Sequence, residues 1–273
     1  MSIYASTQAL LTSIETSLGV VSQRVRQFVP DAIVSQHSKR LYVDAVVGLD
    51  TNVGSQEHPL KTLEGVKKHT FGEGIFNIYL RRGQVHEIGA PPGHHNNGDL
   101  QTLIFDAYGP GVEKPTIRGV PVPFLHQPGA SYHSAAFEVV TKTFLKFVNL
   151  RIETGVVPEG KQMYPGGTYG GFITRSGGVG ETNTYDLVFT DCVIDVQDAH
   201  LFSPYIGSLR LSMVNTTVVS SKAVSYVLPI GLSRILDLNT VTVSGFGTLS
   251  LETLFGLREN NYIANVSNVT ITN

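Results

Sequence analysis

Glu153 and Asp195 hold equivalent places in two short apolar segments, each four residues beyond Asn149 or Asp191. If those segments stack as neighbouring strands, the two carboxylates lie about 4.8 Å apart along the stack. Carboxylates separated by roughly 5–5.5 Å suit a retaining glycoside cleavage, and by about 6.5–9.5 Å an inverting one. Asp198 and His200 follow within a few residues, so Glu153, Asp195 and Asp198 are the catalytic candidates if the chain is an enzyme. Outward charges on a sheet are more often simply solvated, and 42 residues separate Asn149 from Asp191, room for an intervening layer. The reading preferred here is a protein without glycan-cleaving activity.

A second set of residues suits binding. Phe124, Tyr132, Tyr164 and Tyr169 fall in loops rich in Gly and Pro. A Tyr ring offers a sugar a flat apolar face with a polar handle. Metal chemistry has little support. His94 and His95 are adjacent, with Asp99 nearby, and adjacent side chains of an extended chain point to opposite sides. His86 heads a HEIG segment with no second histidine at helical spacing. No Gly-rich phosphate loop, dinucleotide fingerprint or GxSxG elbow is present, so no metal or cofactor is expected. Cys192, the one cysteine, sits in an apolar TDCVI segment and reads as a buried free thiol.

The elements that must position these residues are strands. Val, Ile and Thr supply 72 of the 273 residues, and β-branched side chains favour strands. Charged residues make up 15% and the net charge is −2, which argues against a nucleic-acid partner. No apolar run reaches the roughly 20 residues of a membrane span, and no secretory leader opens the chain, so neither insertion nor export is expected.

Residues 1–38 differ from the rest. Leu11, Ile14, Leu18, Val21, Val25 and Phe28 form an a/d seam that ends at Pro30 and Asp31. The seam predicts a helix that self-associates. From residue 41 to 273 the pattern is one of short strands. Strands are expected at 41–47, 75–80, 102–105 and 135–140, with a short helix near 60–69 and one more strand at Phe172–Ile173. Five segments repeat one shape around Asn149, Asp191, Asn215, Asn239 and Asn268, spaced 42, 24, 24 and 29 residues apart. Alternation breaks at the Asn or Asp, as at a bend where two strands meet, and these residues tolerate the left-handed conformation. A period near 24 residues is that of a solenoid coil. In the Asn239 segment the apolar phase shifts by one residue, to Val241 and Val243, and predicts a bulge.

The opening of this region also resembles a known family. Tyr42, Val43, Gly48, Asp50, Gly54, Pro59, Lys61, Thr62 and Leu63 are similar to the first segment of right-handed parallel β-helix proteins, among them pectate-lyase-like proteins and phage tailspikes. The likeness covers residues 41–66. It implies a mainly β chain, a single-stranded right-handed parallel β-helix, with a short helical segment in front.

The resemblance and the seam together imply a bacteriophage tail spike or tail fibre subunit that attaches to host surface polysaccharide. It would be a virion protein assembled in the host cytoplasm, a homotrimer joined to other virion proteins through its N-terminal segment. A polysaccharide depolymerase of the same fold is the alternative. A head fibre or capsid decoration protein is the second.

Overall fold

Alternation of apolar and polar residues at a period of two makes strand after strand, and Gly, Asn and Pro end each one. The computed structural model describes residues 38–70, 74–89, 101–123, 131–134, 137–139, 144–163, 171–175, 184–203, 208–222, 227–228, 233–247, 249–257 and 262–272. The chain divides into residues 1–39 and 40–273. The seam Leu11 to Phe28 lies outside the described residues.

The second unit winds through three sheet faces. The first face holds β1 (Ser38–Val43), β2 (Gly74–Arg81), β4 (Gln101–Tyr108), β9 (Phe144–Val148) and β13 (Thr184–Thr190). The second holds β3 (Val85–Gly89), β5 (Thr116–Val120), β10 (Arg151–Glu153) and β14 (Val193–Asp195). Three long strands, β16 (Ser208–Val219), β17 (Ser233–Ser244) and β18 (Tyr262–Thr272), bend and run through both. The third face holds β8 (Phe137–Val139), β12 (Gly171–Arg175) and β15 (His200–Ser203). Strands stack parallel on each face, each on its counterpart in the next coil. The architecture is a parallel β-helix.

The bends fall where the alternation breaks. Asn149, Asp191, Asn215 and Asn268 have φ of 57°, 53°, 49° and 54°. The fourth bend is at Thr240, φ 56°, and not at Asn239. The predicted bulge is absent, because Val214 pairs with Asn239 and Thr216 with Val241, so Asn215 and Thr240 share one place. A β-branched residue in this conformation carries local strain. The column is tied along the axis: Asn215 donates to the Asp191 carboxylate, and Lys114 Nζ reaches Asn149 Oδ1 at 2.8 Å and the Asp191 carbonyl at 2.7 Å.

No extra coil intervenes between Asn149 and Asp191. β9 pairs directly with β13, and β10 with β14. The 42 residues instead supply β12 to the third face and an outgrowth containing β11 (Gln162–Met163).

The core runs along the coil axis. Phe105, Phe147 and Phe189 stack face to face, with ring centroids 5.2 and 5.1 Å apart. Phe137 meets Phe105, Phe147 and Phe172 edge-on. Each such burial contributes about 1.5–3 kcal/mol, and aromatic pairing roughly 0.5–1.5 more.

At the N-terminal end, β1 stops at Val43, shorter than expected, and the helix shortens to α1 (Leu63–Lys67). The Asp50 carboxylate explains the motif. It accepts from the amides of Lys61 and Thr62 at 3.0 and 2.9 Å and from the Thr62 hydroxyl at 2.7 Å. Thr62 in turn caps α1 by accepting from Gly65 N. A side chain at Gly48 would strike the Leu60 carbonyl. This clasp buries Leu41, Leu60, Leu63 and Val66 over the first coil.

Candidate functional site

The register of the second face places Glu87, Arg118, Glu153 and Asp195 in one row along the axis. Glu153 and Asp195 are direct partners on adjacent strands, as their places in the repeat predicted. Arg151 sits two residues before Glu153, on the same side of the strand.

The side chains form a chain of charge. Arg118 Nε donates to Glu153 Oε2 at 2.6 Å, and Arg151 Nε to Glu153 Oε1 at 3.0 Å. Arg151 Nη2 lies 3.6 Å from Asp195 Oδ2, and Arg118 Nη1 4.0 Å from Glu87 Oε1. Asp195 faces outward from the sheet yet is buried, against the expectation of an exposed charge. Its carboxylate accepts from Ser221 N at 3.0 Å and from the Gln197 side chain at 3.3 Å. Burial pushes the Glu153 carboxyl upward, but hydrogen bonds from Arg118 and Arg151 outweigh it and hold the group below its ordinary value. A carboxyl held ionised does not suit a general acid, whereas a nucleophile or general base acts in that state.

Asp198 and His200 do not complete a catalytic group. Asp198 Oδ2 accepts from Val157 N at 2.9 Å and its amide donates to Gly155 O at 3.1 Å, which fixes the corner after β10. His200 belongs to the third face, paired with Gly171, and burial pushes its imidazole down to about 4. The pair that sequence spacing suggested is thus brought together, with Arg118 and Arg151 both hydrogen-bonded to Glu153. The motifs TIRGV and NLRIE carry the signal: an Arg level with the carboxylate one coil away, and an Arg two residues before it.

The aromatic set falls on the outgrowth. β6 (Val122–Pro123) and β7 (Ser131–His133) pair antiparallel, and β7 pairs parallel with β11. Tyr132 is half-buried at the centre, facing Pro123 on one side and Met163 on the other. Phe124, Tyr164 and Tyr169 lie outside the described residues, although Phe124 directly follows β6 and Tyr164 directly follows β11 in sequence. Loops of two successive coils, distant in sequence, therefore join in one small sheet on the flank of the solenoid.

At the Glu87–Arg118 end of the charged row, a hollow of about 230 Å³ is lined by Lys61, Thr62, Val85, His86, Glu87 and Arg118. It is smaller than the roughly 300–1,000 Å³ of sites for drug-sized ligands. Among the described residues, no group of three or more His, Cys, Asp or Glu side chains could hold a metal ion. His94, His95 and Asp99 lie outside the described residues. Cys192 is buried, and burial pushes its thiol up to about 11. Among the described residues, no helix is long and apolar enough to cross a membrane.

The fold defines the class, a parallel β-helix. No protein-family model matches the chain, and a comparison with curated proteins finds no match. Among solved structures, the chain is similar to a GH136 lacto-N-biosidase from Eubacterium ramulus in its native form, at 18% identity and a TM-score of 0.36, over 98% of this chain and 47% of that one. The selenomethionine form of that protein aligns at 12% identity and a TM-score of 0.31, over 98% of this chain and 75% of that one. The chain thus spans about half the length of the native lacto-N-biosidase chain it aligns with. At these scores the likeness carries no weight, and the fold rests on the strand register.

Proposed function

We propose that the chain is a virion subunit of the tail spike or tail fibre type, which attaches to host surface polysaccharide without cleaving it. The observation that carries this reading is the small sheet β6–β7–β11. It gathers loops from two coils on one flank, and the aromatic residues Phe124, Tyr132, Tyr164 and Tyr169 fall in or beside those loops in sequence. A solenoid suits this role, because each coil can carry a loop while the stack stays rigid. In this reading the Glu153–Asp195 pair belongs to the scaffold, with Glu153 hydrogen-bonded to both Arg118 and Arg151. Residues 11–28 supply the trimer contact and the link to the particle in this reading.

The test is calorimetric titration of the full chain with oligosaccharides from the host surface polymer. Binding by the wild type and a loss of at least tenfold in Tyr132→Ala is expected. Wild-type affinity in Tyr132→Ala would remove this sheet from the binding surface. Labelling of intact particles under the electron microscope separates a tail from a head position.

A further inference from the structure

On the outer side of the first face, tyrosines from three neighbouring strands meet. Tyr42 of β1 stacks on Tyr79 of β2, with ring centroids 5.0 Å apart and planes 21° from parallel. It meets Tyr108 of β4 edge-on at 5.1 Å. The Arg81 guanidinium lies over the Tyr108 ring, 5.5 Å from its centroid. All three rings are half-buried. Their hydroxyls have no hydrogen-bond partner among the described residues and are not sealed from solvent.

The register opens a notch beside this patch. β2 lies between β1 and β4, so Tyr42 covers one face of the Tyr79 ring and Asp106 stands opposite Tyr79 on the other side. An aspartate is too short to cover the outer part of a tyrosine ring, which leaves the second face of Tyr79 open above it. One coil further on, Lys146 points to the same outer side, level with Ile104. The Asp106 carboxylate floors the notch. Its Oδ1 accepts from the Ala107 amide at 2.7 Å, and its Oδ2 has no hydrogen-bond partner among the described residues. Burial raises this carboxyl above its ordinary value, against the pull of that amide and of Arg82 and Lys146 nearby.

This set selects its occupant. An apolar protein surface laid over it would bury three phenol hydroxyls and a carboxylate oxygen without partners. A polyanion would meet the carboxylate of Asp106. A sugar ring suits both halves, since its C–H face lies on an aromatic ring while its hydroxyls donate and accept at the rim. We propose that the notch over Asp106 is a glycan subsite seating one uncharged pyranose ring. The C–H face of the sugar lies on Tyr79, one hydroxyl donates to Asp106 Oδ2 and another accepts from Lys146 Nζ. This rests on the glycan reading and deepens it with a contact on the solenoid wall, apart from the β6–β7–β11 sheet.

The experiment is saturation-transfer NMR on the full chain with the methyl glycosides of glucose, galactose and N-acetylglucosamine. At least one should take up signal from the wild type. That signal should fall about tenfold in Tyr79→Ala and in Asp106→Ala, and return in Tyr79→Phe, which keeps the ring. It should persist in Ser212→Ala, outward on the same face several coils along. An unchanged thermal melt identifies each variant as folded. No signal from any of the three glycosides with wild type, or wild-type signal in folded Tyr79→Ala or Asp106→Ala, overturns the subsite. Host oligosaccharide binding lost only in Tyr132→Ala would then leave the glycan reading standing without it. Light scattering covers another occupant. A particle mass that falls in Tyr79→Lys, with no glycoside signal in wild type, makes the patch a contact between copies and also overturns the proposal.

Discussion

At the first coil Leu60 and the α1 residue Leu63 are buried within the clasp, 0% and 2% exposed, whereas at β18 the inward residues Val266 and Ile271 stand 42% and 37% exposed. Both ends use the same strand chemistry. What differs is the next layer. Asp50, Thr62 and Gly48 form a plug that satisfies backbone groups and covers the core together. β18 carries the alternation and the bend of its neighbours but offers them to nothing described. Inward-pointing residues in a solenoid gain their burial from the following coil, and a coil without one keeps the pattern and forgoes the stabilisation.

The widest gap between the ends is expected for truncations. Leu60→Ala removes a fully buried side chain beneath the clasp and should cost about 2–5 kcal/mol in urea unfolding. Ile263→Ala, at a residue 70% exposed, should stay within about 0.5 kcal/mol. Equal losses would mean that the outward side chain of Ile263 is packed against a neighbour in solution.

Next in size is the ladder between the ends. Glu153→Gln leaves Arg118 and Arg151 without their carboxylate and should cost roughly 1–3 kcal/mol at pH 7. The folded Glu153 carboxyl titrates below its ordinary value of 4.5, so its contribution is complete above that pH. It fades as pH falls through the lower folded value. The cost of the substitution should therefore shrink in unfolding curves taken near pH 3. A constant cost from pH 7 to pH 3 would mean that the loss does not come from the ionised carboxylate of Glu153.

A smaller effect is expected at the bends. Thr240→Asn places a residue that accepts φ 56° where a β-branched one is strained, and should stabilise by about 0.5–1 kcal/mol. Asn215→Val, at the same place one coil earlier, should destabilise by roughly 1–2 kcal/mol. Opposite signs are the point of the comparison, and two losses would contradict it.

The smallest change in stability accompanies a chemical contrast. With its thiol pushed up to about 11, Cys192 should resist a thiol reagent at pH 8 in the native chain. A cysteine placed at exposed Ser267 should react there within minutes.

These contrasts also separate what was legible in the sequence from what was not. Asn149, Asp191, Asn215 and Asn268 announced the bends because their residue types suit the conformation and the alternation breaks beside them. Thr240 did not, since Thr is a strand former and Asn239 next to it looked the better candidate; only pairing with β16 fixes the bend one residue later. The alignment of Glu153 with Asp195 followed from equal offsets in the repeat. That Asp195 is buried did not, because Arg151, Gln197 and Ser221 reach it across strands and turns. The 42-residue interval hid an outgrowth whose β11 pairs with residues some thirty positions earlier, and local sequence holds no trace of that contact.

The most direct measurement incubates the full chain with host surface polysaccharide and follows bound polymer and new reducing ends together over hours. The account predicts retention of the polymer and no reducing ends above the buffer control. Reducing ends that appear with wild type and vanish with Glu153→Gln or Asp195→Asn would contradict it and make the ladder a catalytic pair.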